Sequence, residues 1–229
     1  MGIITTGILF YMTPSKVVIL VRHGEADHNV DYAYLKQRNT SLTLLGKQQA
    51  TSAHRAIQKL APEVVVTSPL LRTLQTTEGM LRGDGASSSS SRAVVVHPDA
   101  REKISNNACN LPIDPDALAA LSDGGGAFAS YDWTLVREAI AAAGGIAAWE
   151  QACAAEDDKL RERCERFTTW LETGLTQQRV CVVSHGEYLR QLPSAAGGAA
   201  EPSESMMDNC EVRIFTLRDG SWTRQHEPS

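Results

Sequence analysis

Four short apolar runs constrain this chain more than anything else in it. They read VVILV at 17–21, VVV at 64–66, VVV at 94–96 and VCVV at 180–183. None alternates with polar residues, and each is rich in β-branched valine. A strand wetted on one face alternates, whereas a strand covered on both faces does not. The runs therefore predict a parallel sheet buried on both sides. Helix-period segments lie between them. Ala50, Ala53, Ile57 and Leu60 recur at helical spacing, with Thr43 as N-cap and Pro62 just past the end. Leu160, Cys164, Phe167 and Leu171 form a second stripe within 154–175. Arg161, Glu162, Arg163, Glu165 and Arg166 read as the solvated face of that helix.

Strands alternating with helices predict an α/β chain of three layers, α/β/α, with a mostly parallel, doubly wound sheet. Residues 211–217 do alternate, and Arg218-Asp219-Gly220-Ser221 reads as a turn into a last short strand. An antiparallel edge is expected there. The 229 residues suit one domain, 1–229, with a loose N-terminal leader at 1–15. Three segments read as loops: the serine-rich 83–92, the Ala/Gly/Ser/Pro-rich 193–205, and an insert over about 100–150. The insert should form a cap or side lobe. Its aromatic residues Phe128, Tyr131, Trp133 and Trp149 read as packing residues rather than as pocket lining.

A hydrophobic share of 42% is enough for a sizeable core, and a net charge of −5 offers no bulk attraction to nucleic acid. An anionic substrate would need a local positive pocket. The five cysteines are odd in number and form no CxxC pair, which reads as reduced thiols in a reducing, cytoplasmic setting. The first twelve residues are too short to span a bilayer and lack a basic start. Gly2 and Thr6 match the loose myristoylation pattern without a basic patch beside it, and a frayed leader is the simpler reading.

Ligands of open α/β sheets bind beyond the carboxyl ends of the strands. All four predicted exits carry polar residues there: Arg22-His23-Gly24-Glu25, Ser68 to Arg72, His97 to Arg101-Glu102, and Ser184-His185-Gly186. Together they could place two arginines, two histidines and one glutamate on one rim. That set suits phosphoryl transfer. Arginine neutralises phosphate with paired donors, a neutral imidazole can attack phosphorus, and a carboxylic acid can protonate the leaving alcohol. The glycines after both histidines would let backbone N–H groups approach an anion. Glu25 reads as an acid at a helix start. His28, His54, His97 and His226 show no partner pattern and read as surface or packing residues. No cluster has metal-ligand spacing and no nucleotide-binding glycine motif occurs, so no metal and no cofactor is implied.

At these residues the chain resembles the histidine phosphatase superfamily, the phosphoglycerate mutase-like family. RHGEADHN at 22–29 resembles its RHG signature. LTLLGKQQA at 42–50, SPLLRTLQT at 68–76, VSHGEYLR at 183–190 and NCEVRIF at 209–215 resemble its further motifs in the same order. The resemblance implies His23 as the phosphorylated nucleophile. It implies Arg22, Arg72, His185 and Asn29 as phosphate ligands, and Glu102 as the acid. The context DAREKISNN departs from many relatives, and Asp99 is the competing acid. Mutases of the family resemble RHGESxWN, with tryptophan where this chain has His28, and carry an arginine pair after the acid. Here no arginine lies between Glu102 and Arg137. The resemblance thus implies a phosphatase acting through a phosphohistidine on a small phosphorylated substrate or phosphoprotein. A cofactor-dependent mutase and an inactive phosphate-binding module are the alternatives. Neither substrate identity nor oligomeric state is legible in the sequence.

Overall fold

The computed structural model describes residues 14–83, 92–121, 127–195 and 204–225. Residues 1–13 of the expected leader, with Gly2, most of the serine-rich loop, Gly124–Gly126 and His226 lie outside them. Each valine-rich run is a strand: β1 (Lys16–Arg22), β2 (Val64–Thr67), β3 (Ala93–Val96) and β4 (Arg179–Ser184). Two more follow, β5 (Val212–Arg218) and β6 (Ser221–Gln225). They form one six-stranded sheet in the order β3-β2-β4-β1-β5-β6. The first four are parallel, while β5 and β6 are antiparallel at the edge. The β5–β6 turn uses left-handed Asp219 (φ 48°) and Gly220 (φ 74°), the geometry that matches strand twist in tight hairpins.

Alternate residues of each strand feed opposite layers. Ile19, Val21, Val65, Cys181 and Val183 face one core, and Val18, Leu20, Val66, Val180 and Val182 face the other. The first core is covered by α2 (Leu44–Leu60) and α3 (Leu71–Arg82), and by the segment between β3 and β4. That segment holds α4 (Pro115–Ala119), α5 (Thr134–Ala143) and α6 (Ile146–Ala155). Phe128, Tyr131, Trp133 and Trp149 are buried in this core. The second core is covered by α7 (Leu160–Thr173) and α8 (Gly186–Ala195). Among the described residues no helix is long and apolar enough to cross a membrane.

Four sequence expectations need correction. The insert over about 100–150, expected as a loop, carries α4, α5 and the first half of α6, because its apolar residues pack into the first core. The helix expected over 154–175 is the end of α6, a 3-10 turn at Asp157–Lys159, and then α7. Arg163 is 1% exposed, not solvated, because it stands three residues after Leu160 and four before Phe167 on the inward stripe. Pro193–Ala195, expected to open a loop, is the last turn of α8, and 196–203 lie outside the described residues.

The segment after β1 is held by a close approach of two glycines. A short α1 (Asp27–Val30) follows it, and Thr43 caps α2 by accepting the Gly46 N–H at 3.0 Å. A Cβ on Gly46 would fall 1.9 Å from Glu25 O, and one on Gly24 would fall 2.5 Å from Gly46 O. Both obstacles are backbone, so neither can rotate away. Gly46→Ala should therefore force the RHG segment and α2 apart. We expect a loss of about 1–3 kcal/mol in urea unfolding.

Candidate active site

The parallel register sets the exits level with one another. Arg22 is paired with Ser184, Thr67 with Val183 and with Val96. The next residues extend the ladder: His23 N–H donates to Ser184 O (2.9 Å), Ser68 N–H to Val183 O (3.1 Å) and His97 N–H to Thr67 O (2.9 Å). His23 and His185 thus leave neighbouring strands side by side, with ring centroids 5.3 Å apart and nearly edge to face.

His23 is 2% exposed. Its Nδ1 lies 2.7 Å from Gly24 O. A carbonyl only accepts, so Nδ1 carries the proton and Nε2 keeps its lone pair. Asn209 Nδ2 donates to His23 O (2.9 Å) and fixes the main chain. Burial first, then Arg72 and Arg22, push the imidazole well below its ordinary pKa. His185, also buried, has Nε2 2.8 Å from Ser68 Oγ, and its Nδ1 is buried without a partner. Burial, Arg72 and His23 push it down as well.

Two guanidinium groups complete this part of the site. Arg22 Nη1 donates to Met207 O (2.7 Å). Arg72, in the first turn of α3 and 1% exposed, donates to Cys109 O (2.9 Å) and Asn110 Oδ1 (2.7 Å). Asn110 Nδ2 in turn donates to Lys103 O (2.7 Å). The Nε atoms of both arginines are buried without a partner. Arg72 loses so much hydration that its pKa falls to about 10.

Glu102 stands at the N-terminus of α8. Its Oε1 accepts from Lys103 N–H (2.9 Å) and Tyr188 N–H (3.2 Å), and Oε2 accepts from Glu187 N–H (3.2 Å). Burial nonetheless outweighs those donors and Arg72, and lifts its pKa above the ordinary carboxylate value. The carboxylate also acts on both Arg22 and Arg72. Asp99 is committed elsewhere, 3.1 Å from Arg166 and 3.8 Å from Arg101. Asn29 is exposed, and its Oδ1 accepts from Ala26 N–H (3.0 Å) at the head of α1. It therefore caps the helix, leaving Nδ2 as its remaining donor.

The structure alters three further readings. The Gly24 N–H is not open to an anion, because it donates to Thr76 Oγ1 (3.0 Å). Glu25 is not a free helix-start acid; its Oε1 accepts from Thr43 Oγ1 (2.7 Å). His28 is more than a surface residue, with its ring centroid 5.7 Å from that of His23 and Nδ1 3.0 Å from Thr40 Oγ1. Burial, Arg72 and Arg22 lower its pKa to about 3. The sequence signalled neither His28 nor Asn110, because their contacts join segments that only folding brings together. Among the described residues no group of histidine, cysteine or acid side chains could hold a metal ion.

This chain belongs to the histidine phosphatase superfamily: the family described as "Histidine phosphatase superfamily (branch 1)" matches residues 18–103 and 141–227. Phosphoglycerate mutase-like protein 1 of Arabidopsis thaliana is 26% identical, covering 93% of this chain and 85% of that protein. Two solved structures share the fold. The alpha-ribazole phosphatase of Shigella flexneri has a TM-score of 0.58 and 20% identity, covering 91% of this chain and 94% of that one. A mycobacterial glucosyl-3-phosphoglycerate phosphatase solved with VO3 also has a TM-score of 0.58, with 18% identity over 92% and 97% of the two chains.

The buried imidazoles make stability depend on pH. His23, His97 and His185 all have folded pKa values below the ordinary one. The unfolded chain binds protons that these folded rings refuse, so stability is present above about pH 6.5 and falls as pH drops below it. Glu102, shifted up, works in the opposite sense, but it is one group against these three and His28, whose pKa is also lowered. Urea unfolding at pH 7.5 and 5.5 should differ by about 1.4 kcal/mol for each fully excluded ring, with the acid sample less stable.

Proposed function

We propose that the protein is a phosphatase that hydrolyses a phosphomonoester through a phosphohistidine on His23. The observation that carries this reading is the set of buried, unpartnered nitrogens, Nε of Arg22, Nε of Arg72 and Nδ1 of His185, around a neutral imidazole. Donors fixed before the anion arrives need no reorganisation when charge develops. With the Ser68 hydroxyl donating to His185 Nε2, the proton of that ring sits on Nδ1 and adds a third donor.

In this mechanism His23 Nε2 attacks phosphorus and the P–O bond to the leaving alcohol breaks. Glu102, whose pKa burial raises above the ordinary carboxylate value, gives its proton to the departing oxygen. The Glu102 carboxylate then takes a proton from water as the water oxygen attacks phosphorus. The P–N bond breaks, and phosphate and neutral His23 are restored. A neutral His23 and a raised Glu102 are the opposed pKa shifts that divide such roles. Glu102 suits the acid better than Asp99, whose carboxylate is already paired with two arginines. Hydrolysis is favoured over mutase chemistry because 103–136 holds no arginine and Arg137 is paired with Asp116 (2.7 Å). The whole chain acts as one domain, with 100–150 packed onto its first core. Its five free thiols suit a reducing, cytoplasmic setting.

The test is rapid quenching with labelled para-nitrophenyl phosphate in excess chelator. Acid-labile label should appear on the peptide containing His23, and His23→Ala should abolish both label and turnover. Normal turnover by His23→Ala, or strict dependence on added metal, would refute the reading. Efficient primed interconversion of the phosphoglycerates that outpaces phosphate release would favour the mutase instead.

The acid has its own signature. A nitrophenolate departs without a proton, whereas an alkoxide does not. Glu102→Gln should slow glycerol phosphate about a hundred- to ten-thousand-fold and para-nitrophenyl phosphate far less. Inhibition by vanadate should change little.

A further inference from the structure

Glu102 leaves the end of β3 on a short turn, and its aim depends on how that turn is held. The three carbonyls before it are all bonded from other elements. Ser184 Oγ donates to Ala100 O (2.7 Å). Arg163 Nη1 donates to Arg101 O (2.5 Å) and to Asp99 O (3.3 Å). The Arg163 guanidinium also lies over the Tyr188 ring, with Cζ 5.0 Å from its centroid. Tyr188 N–H is one of the donors to the Glu102 carboxylate. One side chain of α7 therefore touches both the turn that carries Glu102 and the residue that donates to it.

A charge this deeply buried is costly unless its hydrogen bonds are specific. Arg163 does not offset that cost with an ion pair. The nearby carboxylates of Asp99 and Glu156 pair with Arg101 and Arg166 instead. A single donor nitrogen of Arg163, Nη1, serves the main-chain oxygens of 99 and 101, while Nε is buried without a partner. Its neighbours on the stripe, Leu160, Cys164 and Phe167, show that an apolar residue would fill the position. What an apolar residue could not supply is the donor to two carbonyls that no other described residue serves.

We propose that Arg163 is a positioning residue for Glu102. It clamps the turn 99–101 and the start of α8 together, so that the carboxyl group is presented to the phosphate pocket. The proposal rests on the reading of Glu102 as the acid, and the experiment separates the two. A displacement of about 1 Å at a reacting group is worth about a hundredfold in rate. A clamp acting only on the acid should therefore alter the leaving-group preference and leave the phosphate pocket alone.

The measurement is kcat for glycerol phosphate against kcat for para-nitrophenyl phosphate. The proteins compared are wild type, Arg163→Met, Glu102→Gln and the double variant. Arg163→Met should slow glycerol phosphate roughly 10- to 100-fold. Its kcat on para-nitrophenyl phosphate and its inhibition by inorganic phosphate should stay within about threefold. In the Glu102→Gln background the same substitution should leave the substrate ratio where Glu102→Gln alone put it. Arg163→Gln, too short to span both carbonyls, should shift the ratio in the same direction, and it decides the matter where the methionine variant does not fold. An unchanged ratio in the Arg163 variants, with Glu102→Gln still changing it, would overturn the proposal and leave the acid reading standing. Equal slowing of both substrates would overturn it too, as general damage. If Glu102→Gln itself left the ratio unchanged, the acid reading would fall and the clamp with it.

Discussion

The parallel register between β1 and β4 is the constraint on which the site depends. It pairs Arg22 with Ser184, so His23 and His185 emerge together. The pairing of β2 with β4 then brings Ser68 within 2.8 Å of His185. A slip of one residue would send alternate side chains to the wrong layer. Val18 and Leu20 would trade cores with Ile19 and Val21, so the core enforces the alignment that the rim uses. No residue of the rim has to specify its own position along the sheet. The valines beneath do so.

Burial acts on every charged group at this rim, and its effect differs with the sign of the group. It keeps His23 and His185 neutral and lifts the Glu102 carboxyl. It also strips hydration from Arg22 and Arg72. An incoming phosphate would meet donors that have lost water already, in surroundings of low dielectric where their attraction is strong. The same desolvation therefore acts on both the His23 ring and the two guanidinium groups. It is costly to the free protein, and hydrogen bonds such as those from Arg72 to Cys109 O and Asn110 offset part of that cost.

The sheet was legible in the sequence because its signal is local. Four unbroken apolar runs specify strands covered on both sides, and the polar residues that end each run mark the exits. The antiparallel edge was legible for the opposite reason, since β5 alternates and leads into an Asp-Gly turn. What stayed hidden depends on distant contacts or on charge overriding pattern. Arg163 sits on the periodicity of α7, yet its charge argued for solvent. His28 and Asn110 reach the site through Thr40 and Arg72, partners 12 and 38 residues away. The roles of Gly24 and Gly46 were also hidden, because a need for no side chain is visible only once two backbones meet.

His23 is oriented by the carbonyl oxygen of its own neighbour. In a serine–histidine–aspartate arrangement the orienting group is a side chain, and one codon change removes it. Here the orienting atom belongs to the main chain, which every amino acid carries. Mutational drift therefore cannot delete it by exchanging a residue, and only a rearrangement of the loop can. The glycine contact beneath that loop resists such a rearrangement. The tautomer of the ring is thus inherited with the fold itself, and a lineage would lose the ring, either arginine or Glu102 to single substitutions long before it lost the orientation of the imidazole.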